Sequence, residues 1–265
     1  PNRGVCFVPD PRLEPLSKIS KSKKITHSTI ELTDVAGLSK GAGKEKGFSN
    51  QFLGQLRDME ALLLVVRVFE SETVPHTEGS VDPVRDLDIL MTELILADMT
   101  LIENRLPRVE LMKTKDAQNR KQYEKEEASL RRFLAALEQG RPIIHVAPTE
   151  DEMVNYVHSY GLLTAREMLV LANVGDLTHI AEKASLERLR AETTSKGMEL
   201  VVMNAQLETE VHQIPEEEWQ DYFEACGLEG SGKSAVISAC YRALRQQSFL
   251  TTGEEESRAW TIPIG

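Results

Sequence analysis

Residues 30–57 read I-E-L-T-D-V-A-G-L-S-K-G-A-G-K-E-K-G-F-S-N-Q-F-L-G-Q-L-R, and the order of residue types in this stretch decides the fold. An apolar, β-branched run ends at Asp34, glycines follow at 37, 41, 43 and 47, and a segment of helical period begins near Phe48. The order is strand, glycine loop, helix. An aspartate at the carboxyl end of a buried strand is placed to hold Mg²⁺ through water, and flexible glycines let backbone N–H groups approach a terminal phosphate. The D-x-x-G spacing therefore assigns Asp34 to the metal and the Gly37 amide to a γ-phosphate. The tetrapeptide alone also describes an ordinary strand-end turn. Its extension through Lys40, Gly41, Asn50, Phe52, Leu53 and Arg57 makes it specific.

The chain as a whole sets bounds on this reading. Its 265 residues suffice for one large core or two small ones. A net charge of −11 excludes a surface broadly committed to nucleic acid, because neutralising phosphates takes clustered Lys and Arg. DNA is therefore not an expected partner, and any RNA contact is local. Cys6, Cys226 and Cys240 lie far apart and lack zinc-type spacing, which suits free thiols in a reducing compartment. No apolar run approaches the length of a membrane span, so no membrane partner is expected.

Outward from residues 30–57, residues 5–8 (V-C-F-V) read as a short strand and residues 12–19 as a short helix with Leu13, Leu16 and Ile19 on one face. Residues 61–69 (A-L-L-L-V-V-R-V-F) form a continuous apolar run, the mark of a strand buried on both faces of a parallel sheet. A polar loop containing His76 follows. A long helix then opens with Asp82 as N-cap and Pro83 at its first position. Over residues 100–140 the composition turns charged and aromatic-poor, interrupted only by Pro107. Two antiparallel helices fit there, one with Val109, Leu111 and Met112 on its apolar face, the other with Leu130, Phe133, Leu134 and Leu137. Arg105, Arg108, Lys113, Lys115, Arg120, Lys121, Lys125, Arg131 and Arg132 read as a solvated helical face rather than an RNA patch. Residues 167–174 and 198–203 are further buried strands with a helix at 180–195 between them. Such alternation implies a doubly wound, mostly parallel α/β sheet. The strands at 5–8, 30–32, 62–68, 168–172 and 200–203 are expected in that one sheet.

The second anchor is Asn173-Val174-Gly175-Asp176, which follows a buried strand. In N-K-x-D loops of this placement the Asn fixes the loop and contacts the purine, while the Asp accepts two hydrogen bonds from guanine. Val174 lacks the lysine stem, so ATP and GTP both stay open, and a plain strand-end turn is the alternative. Asn204-Ala205, after the next strand, stands where a second loop meets the base. Residues 227–234, G-L-E-G-S-G-K-S, also match G-x-x-x-x-G-K-S to the letter. A working phosphate loop needs a strand before it. Residues 216–226 (E-E-E-W-Q-D-Y-F-E-A-C) are helical in pattern and too polar for one, so the motif reads as a turn between two helices.

On these residues the sequence resembles the Obg-like ATPase (YchF) family of translation-factor-related P-loop NTPases. The family's switch II reads D-[IV]-A-G-L-V-K-G-A-S-x-G-x-G-L-G-N-x-F-L-x-x-[IL]-R, and here Ser39, Gly43 and Ser49 replace Val, Ser and Gly. Val81, Asp82, Pro83, Asp86, Leu87, Leu90, Glu93, Leu94, Leu96, Ala97 and Asp98 match a second family passage. Residues 249–262 are similar to the opening of the family's β-grasp TGS domain. The resemblance implies a P-loop NTPase G domain whose first strand, Walker A loop and most of switch I lie before Pro1. It implies two G-domain parts, 1–99 and 146–247, around a helical (coiled-coil) insertion at 100–145, with the start of a TGS domain at 248–265. It further implies hydrolysis of ATP or GTP with Mg²⁺ and association with ribosomes, in the cytoplasm or in an organellar matrix such as that of the mitochondrion. The family carries N-x-x-E where this chain has Asp176. Leu38, directly after D-x-x-G, cannot position an attacking water. The family offers a loop histidine instead, and His76 occupies the matching place as the candidate catalytic residue. The competing reading is a degenerate G domain retained as a ribosome or assembly-factor scaffold.

Overall fold

A computed structural model of the chain describes residues 2–35 and 48–265. Strand β1 (Asn2–Phe7) runs antiparallel to β3 (Thr29–Asp34), with Cys6 opposite Ile30 and Asn2 opposite Asp34. Helix α1 (Leu13–Ser20) and the two-residue strand β2 (Ile25–Thr26) lie between them in sequence. Helix α2 (Asn50–Arg57) begins at Ser49, whose hydroxyl accepts the Phe52 N–H at 3.2 Å, the N-cap bond that satisfies one orphan donor of the first turn. Then come β4 (Ala61–Arg67), α3 (Pro83–Lys115), α4 (Arg120–Glu138) and a three-residue α5 (Glu150–Glu152) that widens into a π turn over Met153–His158. The chain continues through β5 (Glu167–Asn173), α6 (Ile180–Ser195), β6 (Glu199–Met203), α7 (Ala205–Glu210), α8 (Trp219–Ala225) and α9 (Lys233–Ala243). It closes with the antiparallel hairpin β7 (Gln246–Thr252) and β8 (Ser257–Pro263), whose other edge pairs with β2 in parallel.

The five runs expected in one mostly parallel sheet divide instead into two hydrogen-bonded groups, β1-β3 and β4-β5-β6. The expected parallel pairing is present between β5 and β6, where Leu171 stands opposite Val201. The antiparallel β1/β3 pair departs from it. The physical reason lies in edge pairing. Among the described residues β3 has a strand neighbour only in β1, and β4 only in β5, so each keeps one edge without a partner.

The chain gathers into two compact units, one of Pro1–Ala36, Leu63–Leu87 and Met168–Gly265, the other of Gly37–Leu62 and Asp88–Glu167. In the first, Val8, Ile30, Leu169, Leu171 and Val201 pack with Val236, Ile237, Cys240 and Tyr241 of α9. In the second, Ile102, Leu106 and Val109 of α3 pack with Leu130, Phe133 and Leu137 of α4, and the four residues between the helices oblige them to run antiparallel.

Two expectations for this helical pair need correction. Pro107 does not interrupt: α3 is one helix of 33 residues with Pro107 inside it. A proline there costs about 3 kcal/mol through its missing N–H and its ring. Burial of Leu106 and Val109 on either side, each contributing roughly 1.5–3 kcal/mol, offsets that cost. Leu111 and Met112, expected on the apolar face, are exposed. Five of the basic residues are committed to carboxylates: Arg105 to Glu126, Lys113 to Glu127, Arg120 to Glu124, Arg131 to Glu110 and Glu127, and Arg132 to Glu152. That pattern suits a solvated, ion-paired face.

Asp98 of α3 is fully buried and caps a turn. Its carboxylate accepts the Leu163 N–H at 2.9 Å, the Thr164 N–H at 2.8 Å and the Thr164 hydroxyl at 2.7 Å. Burial pushes its carboxyl above the ordinary range, against the pull of those donors. In the same unit the Arg166 guanidinium donates to the Arg57 carbonyl, the last residue of α2. Gly161, at φ +64°, packs on the Arg57 stem, where an added Cβ would lie 3.0 Å away. No helix among the described residues is long and apolar enough to cross a membrane.

Candidate functional site

Strand β5 is apolar because both of its faces are covered, and β6, with Val201 buried, runs parallel to it, so the two end at the same side. Their carboxyl ends carry the two asparagines singled out by the sequence. Asn173 accepts the Ala205 N–H on its Oδ1 at 3.2 Å. Asn204 donates its Nδ2 to the Gly175 carbonyl at 3.0 Å and caps α7 by accepting the Leu207 N–H at 2.9 Å. The Val174 N–H bonds the Met203 carbonyl at 3.0 Å. The two strand-end loops are thus stitched together from both sides, which brings Asn173, Gly175, Asn204 and Ala205 into one site.

Val174 points its side chain into the core at 1 % exposure, so it supplies packing where a lysine stem would line the base. Asp176 stands at the loop tip. Its Oδ1 accepts the Thr178 hydroxyl at 2.6 Å and the Thr178 N–H at 2.8 Å. These two donors, the hydroxyl foremost, hold its carboxyl below the ordinary range, so it is an anion at neutral pH. Its Oδ2 lies 3.9 Å from the His179 ring and remains open to a ligand's donor. Two residues that the sequence did not single out complete the loop. Glu182 accepts the Gly175 N–H at 3.2 Å, and Phe69 lies where a Cβ on Gly175 would come within 2.9 Å. Only a glycine fits between them.

Asp34 ends β3 with an exposed carboxylate that no described residue engages. A hard, solvent-facing oxygen donor at a strand end fits Mg²⁺ held through water. Gly37 lies outside the described residues. Among those residues no group of three or more metal-ligating side chains gathers.

His76 is not a free loop histidine. Its Nδ1 accepts the Glu78 N–H at 3.1 Å, and its Nε2 lies 2.9 Å from Asp86 Oδ2, with the side chain 12 % exposed. An imidazole that accepts at Nδ1 carries its proton at Nε2, which faces the Asp86 carboxylate at ion-pair distance, although Asp86 Oδ2 is buried without a hydrogen-bond partner. The other oxygen of Asp86 is held by the Arg85 fork at 2.8 and 3.0 Å, and Arg85 also reaches the Ser80 carbonyl and hydroxyl. The loop that follows β4 is thereby pinned to the first turn of α3.

Residues 227–232 form the turn between α8 and α9 that the sequence suggested, with Lys233 and Ser234 opening α9 and a helix, not a strand, directly before the turn.

No family model matches the chain. Among characterised proteins it is 35 % identical over 271 residues to the ribosome-binding ATPase YchF of Bacillus subtilis (strain 168), an alignment covering 100 % of this chain and 72 % of that protein. It is 35 % identical over 267 residues to the ribosome-binding ATPase YchF of Escherichia coli O157:H7, with the same coverage of 100 % and 72 %. A solved structure, the Schizosaccharomyces pombe YchF GTPase, superposes with a TM-score of 0.84 at 28 % identity, covering 99 % of this chain and 71 % of that one. Identity of this depth over the whole chain, together with the stitched loops at the ends of β5 and β6, makes the chain a member of the Obg-like ATPase (YchF) family.

Proposed function

We propose that this chain is the nucleotide-binding part of a ribosome-associated protein that hydrolyses the β,γ bond of ATP or GTP. The observation that carries the proposal is the cross-stitched pair of loops at 173–176 and 204–205, in a family whose named members are ribosome-binding ATPases. Asn173 and Asn204 hold the loop shape, Ala205 lies against the base, and Asp176 presents an ionised carboxylate to a purine. Asp34 would hold Mg²⁺ through water, and the D-x-x-G pattern assigns the Gly37 amide to the γ-phosphate. When bound, the ion supplies neutralisation of phosphate charge. His76 orients the attacking water once it leaves Asp86. A further strand, with the Walker A loop after it, pairs with the open edges of β3 and β4 and restores one mostly parallel sheet. In this reading residues 1–99 and 146–247 are the G domain, 100–145 its helical insertion and 248–265 the start of a TGS domain. The ribosome is met through local contacts, in the cytoplasm or a mitochondrial matrix.

One observation favours a second reading. Both ring nitrogens of His76 are engaged and Leu38 offers no hydrogen bond, an arrangement that a non-catalytic scaffold could keep. Titration of the full-length protein with fluorescent ATP and GTP analogues separates the two. Binding that Asp176→Ala weakens is the expected outcome, and if Asp176 reads guanine, Asp176→Asn moves preference toward xanthosine nucleotides. Equal, weak binding of every nucleotide, indifferent to Asp176→Ala, would establish the scaffold reading.

A further inference from the structure

Residues 227–234 spell a phosphate-binding motif, yet the anion at the N-terminus of α9 belongs to the protein itself. Glu208 of α7 accepts the Gly232 N–H at 2.6 Å and the Lys233 N–H at 3.3 Å on Oε1, and the Ser231 hydroxyl at 2.8 Å on Oε2. Exposed N–H groups at a helix start draw a carboxylate as they would draw a phosphate, and here the carboxylate is internal. The glycines have structural partners too. A Cβ on Gly232 would come within 2.6 Å of the Val202 carbonyl and 2.8 Å of Met203 Cβ, so its bareness lets α9 start against the end of β6. Gly227, at φ +73°, faces Leu177 and Thr178, where a Cβ would meet backbone atoms at 3.2 and 3.3 Å. The Cys226 carbonyl accepts the Leu177 N–H at 2.9 Å.

These contacts close a ring. Asn173 and Asn204 join the 173–178 loop to the start of α7, Glu208 joins α7 to residues 231–233, and Cys226 and Gly227 return to Leu177. We infer that residues 226–233, with Glu208, are a brace that positions the purine loop, touching neither base nor phosphate. Glu208 is the positioning residue at its centre. The inference rests on reading residues 173–176 as the purine loop. It gives the Walker-like motif a function other than the one its letters suggest.

Two measurements on the full-length protein test it, with Glu208→Ala removing the acceptor and Glu208→Gln keeping one. The first is amide hydrogen exchange without nucleotide. In Glu208→Ala the Val174 and Leu177 N–H groups should exchange about tenfold faster, the scale of one lost hydrogen bond to a charged group. Glu208→Gln should stay close to the wild type. Unchanged exchange in Glu208→Ala overturns the brace. The second is binding of fluorescent ATP and GTP analogues beside inorganic tripolyphosphate. Glu208→Ala should weaken both nucleotides about tenfold and leave tripolyphosphate unchanged. Equal loss of tripolyphosphate, or its loss in Lys233→Ala, overturns the inference by making the segment a phosphate site. A wild-type protein that binds neither nucleotide overturns the purine reading, whereas the exchange result bears on the brace alone.

Discussion

At the scale of single residues, His76 shows how a catalytic candidate is held out of use. A histidine that orients water must present a free ring nitrogen, and here one nitrogen accepts from Glu78 while the other lies 2.9 Å from Asp86 Oδ2. Removing the carboxylate beside it should release the ring. If His76 orients water, Asp86→Ala in the full-length protein should raise steady-state phosphate release about tenfold with nucleotide affinity unchanged, since the charge facing the ring no longer holds it from the active position. His76→Ala should abolish the gain, and a rate that falls in Asp86→Ala would show that the pair works as it stands. The histidine was legible from its place after an apolar strand and from family resemblance. Its partner was not, because Asp86 sits on a helix and nothing in the spacing says which of the nearby carboxylates the loop folds back to meet. Glu182 and Phe69 escaped for a similar reason: their roles exist only once the chain brings them beside Gly175.

Elements show a different balance between sequence and structure. The apolar runs gave β4, β5 and β6 to within a residue or two, most plainly for β5, which is buried on both faces and therefore apolar along its length. Pro107 misled because local propensity argues for a break, whereas the packing of α3 on α4 decides for continuity. The short α5 was missed: T-E-D-E is a capping box, with Thr149 and Glu152 bonding each other's N–H groups, but three residues carry no periodicity. Glu152 does more than cap. Burial alone would raise its pKa, but the Thr149 N–H, the Ser129 hydroxyl and the Arg132 guanidinium outweigh it and hold the carboxyl at about 2. A folded pKa below the unfolded value of 4.5 means that the stabilisation is complete above that value and is lost as pH falls toward about 2. In acid-unfolding curves Glu152→Gln should therefore cost roughly 2 to 3 kcal/mol at pH 7 and little at pH 2. A cost independent of pH would show that shape, and not charge, is what the site uses.

For the molecule as a whole, the sequence supplied β1, β3, β4, β5 and β6, missed β2, β7 and β8, and withheld the grouping of the strands. Pairing depends on which edge meets which, and a run such as A-L-L-L-V-V-R reads alike in the middle of a sheet and at its margin. β4 is at a margin among the described residues. It carries a row of N–H and C=O groups without a strand partner, no proline, no charge before Arg67, and Val65 at 55 % exposure. The same holds in milder form for β1, where Val5 and Phe7 are each 66 % exposed. Natural proteins guard such margins with lysine, proline or a covering segment; β4 carries neither lysine nor proline, and among the described residues no strand covers this edge. Left uncovered, such a row is a template for growth, strand upon strand, into a cross-β fibre. Val65→Lys should suppress thioflavin-positive assembly at high concentration while shifting unfolding stability by about 0.5 kcal/mol or less. Any segment that comes to lie along β4, whatever else it contributes, would also act as the protein's guard against aggregation.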